Sequence, residues 1–102
     1  MPTYVLMTKL TPTVMNQPGK RKEYGREWKE TVDRLCPGVR WVAHYALLGP
    51  YDFMDIYEAP DAETAARVSL ITHATGAQKA ESWPAVPYGR FVEIAQEVGK
   101  AL

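Results

Sequence analysis

The chain has 102 residues, 46% of them hydrophobic and 24% charged, and its 12 basic and 12 acidic side chains cancel. This suits one domain over residues 1–102 with a modest core, and the balanced charge provides no field to draw it to nucleic acid or an anionic membrane. A lone cysteine excludes an internal disulfide, no apolar run approaches the roughly 18–20 residues that span a bilayer, and the N-terminus has no basic leader, so a cytoplasmic protein is expected.

Residues 3–10 are rich in β-branched and aromatic side chains and predict a first strand. Thr11-Pro12 breaks it, and the proline and asparagine of residues 13–19 predict a loop without regular structure. From Lys20 the period becomes helical, with Tyr24, Trp28, Val32 and Leu35 as the core stripe and Glu30 paired with Arg34 on the solvated face. Gly25 costs that helix up to about 1 kcal/mol relative to alanine, which the stripe should outweigh. Cys36-Pro37-Gly38 ends it. Residues 39–48 and 51–58 predict two strands, and Gly49-Pro50 between them leaves room only for a hairpin.

Asp61 is a good N-cap for a second helix, with Glu63 in its first turn and Ala65, Ala66, Val68, Leu70 and Ile71 along it. Gly76 is its natural stop. Residues 78–86 predict an irregular fourth strand at a sheet edge, because Pro84 and Pro87 cannot donate to a ladder. Tyr88, Phe91, Ile94, Ala95 and Val98 then mark a short amphipathic helix. Two strand–helix–strand units joined by a hairpin give an α+β, ferredoxin-like βαββαβ arrangement: a four-stranded antiparallel sheet with helices on one face and a C-terminal helix.

Gly49-Pro50-Tyr51-Asp52, followed by a strand and then Glu58-Ala59-Pro60-Asp61, resembles the signature of GYD-domain proteins. The opening Tyr4-Val5-Leu6-Met7-Thr8-Lys9-Leu10-Thr11 and the Lys20-Arg21 pair are also similar to that family, so the resemblance runs from about Tyr4 to Phe91. It implies a dimeric α+β barrel in which two sheets face one another. It carries no catalytic residues with it. The chain departs from the pattern in lacking a glycine between Pro12 and Pro18, and in placing polar His44 and Asp55 where apolar or small strand residues are expected.

Strict alternation from a two-residue hairpin puts His44 opposite Asp55, Ala46 opposite Phe53 and Val42 opposite Tyr57. One face then collects Arg40, Val42, His44, Ala46 and Leu48 with Tyr51, Phe53, Asp55 and Tyr57. The other, with Trp41, Ala43, Tyr45, Leu47, Met54 and Ile56, is more uniformly apolar and is expected to lie under the helices. The first would line a space between facing sheets. Cross-strand Cβ atoms lie about 4.5–5.5 Å apart, within reach of an imidazole–carboxylate hydrogen bond, and such a bond fixes the tautomer that a general base needs. A one-residue bulge would spoil the register.

His44 and Asp55 are thus the candidate catalytic pair, with Arg40, Tyr51, Phe53, Tyr57 and, at the end of the second helix, His73 as candidate ligand-binding residues. The first reading of the pair is nonetheless a structural hydrogen bond, ahead of ligand binding and then catalysis. Cys36 lacks a basic partner and is expected to be inert, no Gly-rich phosphate loop is present, and neither a cofactor nor a metal is expected. An aromatic content of 11% in so short a chain points to a second buried surface, an interface or a pocket. The preferred reading is a homodimer or higher oligomer that binds a small molecule in its cavity. A cofactor-independent enzyme of oxygenase, isomerase or lyase type is one alternative, and an oligomerisation or interaction module without a ligand is the other.

Overall fold

A computed structural model describes residues 1–102. The elements run β1 (Thr3–Leu10), α1 (Pro12–Met15), a 3-10 turn (Pro18–Lys20), α2 (Arg21–Leu35), β2 (Arg40–Ala46), β3 (Phe53–Glu58), α3 (Ala62–Ala74), β4 (Ala77–Ala85) and α4 (Tyr88–Ala101). The four strands form one antiparallel sheet in the order β2-β3-β1-β4, with α2 and α3 on one face. This is the ferredoxin-like α+β fold expected from the sequence.

Local chemistry explains the boundaries. Asp61 caps α3 as expected, its carboxylate accepting from the Thr64 backbone N–H at 2.8 Å and the Thr64 hydroxyl at 2.7 Å. The segment after β1 is more regular than its composition predicts. Thr11 caps a short helix by accepting from Val14 N, and Pro12 starts that helix at a position where its missing N–H costs nothing. On α2 the ion pairs are Lys29–Asp33 at 2.8 Å and Arg26–Glu30 at 4.0 Å, in place of the expected Glu30–Arg34. Val32 is fully buried, but Leu35 at the end of the stripe stays half exposed.

The core lies between the sheet and these two helices. Tyr4, Leu6 and Tyr57 from the strands meet Val32 of α2 and Ala65, Val68 and Ile71 of α3, and Cys36 is buried with them. A line of hydroxyls ties the layers together: Tyr57 Oη lies 2.6 Å from Ser82 Oγ, which lies 2.8 Å from Ser69 Oγ. Burial in this setting pushes the Tyr57 phenol up to about 12.

The expected assignment of sheet faces is reversed. Phe53, Asp55 and Tyr57 point toward the helices, because they share a face with Thr8, Leu6 and Tyr4 of β1, the strand whose alternate side chains fill the core. Val5, Met7, Met54, Ile56 and Tyr45 occupy the opposite, uncovered face. Mid-strand apolarity misleads here: both faces of β1 are apolar, and polar residues on the helix side line a cavity. A bulge adds a second correction. His44 pairs with Asp55 and Ala46 with Phe53 as expected, but the register slips at Val42, so Tyr57 faces Trp41 and Glu58 faces Arg40. Trp41 therefore turns inward and Arg40 outward.

α4 stands apart from this body. None of its 14 residues is buried, and Tyr88, Phe91 and Val98 are 80%, 57% and 52% exposed. The radius of gyration, 15.8 Å, exceeds the roughly 13 Å of a compact 100-residue domain, as a projecting helix requires.

Gly76, between α3 and β4, adopts φ +120°, and a Cβ there would come within 2.9 Å of Val14 Cγ2. Gly76→Ala should therefore cost about 1–3 kcal/mol in a denaturant titration. Adding Val14→Ala should recover only the steric part of that loss, since the backbone strain remains.

Candidate functional site

β2, β3 and α2 enclose a cavity of about 580 Å3, within the size range of small-molecule sites. Its floor is the helix-facing side of the sheet, with Thr8 and the buried Asp55. Asp55 Oδ1 bonds to Nδ1 of His44, which sits at the mouth with 61% of its side chain exposed. The pairing is asymmetric: the carboxylate is enclosed and the imidazole is wet. Burial drives the Asp55 carboxyl above the ordinary carboxylate range, and His44 only partly opposes it.

Aromatic rings make the walls. Phe53 stacks on His44 at 5.7 Å between centroids, Trp28 lies 6.4 Å from His44, and Trp41 packs against Trp28 at 5.0 Å. Hydrogen bonds hold both indoles. Trp28 Nε1 donates to Thr72 Oγ1 at 2.9 Å, Thr72 itself being anchored to the Val68 carbonyl, and Trp41 Nε1 donates to Asp33 Oδ1 at 3.3 Å. Arg21, in the first turn of α2, lays its guanidinium over Phe53, with Cζ 5.0 Å from the ring centroid.

Of the residues singled out in the sequence, His44, Asp55 and Phe53 converge here. The space they share lies under α2 and not between two facing sheets. Arg40 is on the far side of the sheet, its Nη1 3.0 Å from Glu58 Oε1, because of the bulge. Tyr51 is also over the open face, where its hydroxyl donates to Glu81 Oε1 at 2.9 Å and its ring meets Trp83 edge-on. Tyr57 belongs to the core. His73 is exposed near the end of α3, and its neighbours Thr72 and Thr75 reach the cavity instead. Leu48, expected on the same face, is fully exposed at the hairpin tip.

Arg21, Trp28 and Trp41 were the residues that sequence reasoning missed. Arg21, Gly25, Trp28 and Val32 follow one another at four, three and four residues, so Arg21 already stood on the buried stripe of the helix. The inward turn of Trp41 needs the bulge. No three His, Cys, Asp or Glu side chains converge to hold a metal ion. Cys36 sits in the core, and burial raises its thiol pKa.

The model of the GYD domain matches residues 4–95. The chain belongs to the GYD domain family. A protein of Thermus thermophilus named glutamine synthetase and cystathionine beta-lyase binding protein is 38% identical over 96 residues, spanning 90% of this GYD chain and 96% of its own length. The crystal structure of an FFRP protein matches with a TM-score of 0.55 at 17% identity, over 84% of this chain and all of the other. At that identity the second likeness is one of fold. In this GYD domain no helix is long and apolar enough to cross a membrane.

Because the native Asp55 carboxyl holds its proton more tightly than the unfolded chain does, its contribution to stability falls as pH rises from the ordinary carboxylate value through the raised native one. Asp33 and Asp61, which are lowered, change in the opposite sense in both proteins, so a comparison with Asp55→Asn isolates Asp55. The denaturation midpoint of the native chain minus that of the variant should fall as pH rises across the acidic range. Parallel profiles would mean that Asp55 is no more protonated folded than unfolded.

Proposed function

We propose that this GYD domain is a self-associating protein-interaction module whose partners are metabolic enzymes of the glutamine synthetase or cystathionine β-lyase kind. The observation that carries this reading is the C-terminal helix. α4 arrays Tyr88, Phe91, Ala95 and Val98 along one stripe, and Arg90 bridges to Glu93 and Glu97 away from it. An amphipathic helix that leaves its apolar stripe in water is a binding element in need of a groove. The relative that spans nearly the whole chain bears the name of a binding protein for two such enzymes, which supports the partner class and, with it, a cytoplasmic location.

Self-association belongs to the open sheet face. Val5, Met54, Ile56, Tyr45 and Trp83 present apolar surface there, with Tyr45 56% and Trp83 45% exposed. The dimeric barrel implied by the family resemblance would bury this face, and not the His44–Asp55 face as read from the sequence.

The immobilised full chain, presented with purified glutamine synthetase and cystathionine β-lyase from its own organism, should retain at least one of them. Phe91→Asp combined with Val98→Asp should weaken that retention at least about tenfold, a modest effect for removing two apolar anchors. The melting temperature should not change, because neither side chain is buried. Failure of the unaltered chain to hold either enzyme would remove the partner class. In size-exclusion chromatography with light scattering, a mass at or above twice 11.5 kDa is expected, and a clean monomer would remove self-association.

A further inference from the structure

One side-chain polar atom is buried without a partner: Nη1 of Arg21. It belongs to the guanidinium that lies over Phe53 in the cavity wall and passes close to Gly25, where a Cβ would stand 3.7 Å from Nη2. Guanidinium groups carry five donors in a planar fork, and a buried one is ordinarily satisfied by a carboxylate. Both nearby carboxylates are engaged elsewhere. Asp52, whose charge acts on Arg21, accepts from Leu10 N at 2.8 Å, and Asp55 is bonded to His44. Arg21 forms no salt bridge with either, and desolvation lowers its pKa by more than the Asp52 charge restores.

We propose that the cavity between α2 and the sheet binds a small monocarboxylate with a flat apolar body, its carboxylate on Arg21 and its ring plane against the indoles of Trp28 and Trp41. Three features define this class. The Arg21 guanidinium lines the cavity and has no salt-bridge partner, so its open edge matches a carboxylate in a charge-assisted hydrogen bond. The walls are aromatic and held in place by the Trp28–Thr72 and Trp41–Asp33 bonds, so a planar body meets surfaces that are already ordered. The single unpaired guanidinium, with the Asp55 and Asp52 carboxylates close by, disfavours phosphate esters and dicarboxylates, whose second negative charge would go uncompensated. His44 at the mouth, oriented by Asp55, supplies one further polar contact. The inference is independent of the partner-binding reading, and each can fail alone.

Naphthoate and its neutral counterpart naphthamide are suitable probes, followed by heteronuclear NMR of the tryptophan indole N–H groups and by calorimetry. With naphthoate, the Trp28 and Trp41 resonances should shift, while that of Trp83, on the other face of the sheet, should stay in place. Naphthamide should bind at least about tenfold more weakly, and Arg21→Gln should weaken naphthoate by a similar factor, as the loss of a hydrogen bond to a charged group implies. The Phe91→Asp/Val98→Asp chain should bind naphthoate like the unaltered one. Equal affinity for acid and amide in the unaltered chain would overturn the proposal whether or not the Arg21 variant folds. So would an absence of shifts at Trp28 and Trp41, or shifts led by Trp83.

Discussion

Val42 has no partner on β3, and this one unpaired residue determines what lies beneath α2. Between it and the hairpin the ladder runs in the register that the tight reversal sets, which seats His44 beside Asp55. Beyond it, the same strand shows its other side to the core. Trp41 can then reach both Trp28 and Tyr57, with centroids 5.0 and 5.4 Å away, and Arg40 is left to pair with Glu58 on the far side. Without the bulge, Trp41 and His44 would point in opposite directions and the aromatic wall would lose its innermost ring. A bulge is a cheap way to place two odd-and-even neighbours on one face.

The chemistry of the cavity rests on a contrast in exposure. Asp55 is enclosed and its partner imidazole is wet, so the pair presents a positioned ring to solvent and keeps its negative charge against the sheet. Arg21 is the complement: a cation drawn over an aromatic ring, with donors still free. The polar residues of this region are the reason that the helix-covered face reads as the less apolar one.

Much of the fold was legible in the residues. Asp61 before an alanine-rich stretch, Gly76 after it and the prolines of β4 each act through local backbone chemistry, and each stands where local rules place it. The Gly49-Pro50 reversal sets the expected register, but the strands end at Ala46 and Phe53 and leave a longer loop than two residues. The His44–Asp55 pairing was legible for the same reason, since it lies within a few residues of the turn. The orientation of the sheet was not. It depends on β1, whose two faces are both apolar, so alternation alone gives no direction. The outward position of Arg40 and the inward position of Trp41 follow from an insertion that no residue type at Val42 announces. Arg21 stood on the core stripe of α2 but was hidden by its charge, because a cation in such a stripe is ordinarily assigned to solvent.

The two outer strands of the sheet share a trait with a consequence for the protein at high concentration. β2 carries the bulge at Val42, and β4 carries Pro84, which has no N–H to offer, together with a slip in its pairing opposite Lys9 and Leu10. Neither flank offers the long, even row of donors and acceptors that an incoming strand needs to zip onto. Edge-to-edge polymerisation is thereby blocked at both ends of the sheet, despite the apolar character of its open face. That leaves faces and helices, and not a lengthened sheet, as the surfaces through which one copy of this chain would meet another.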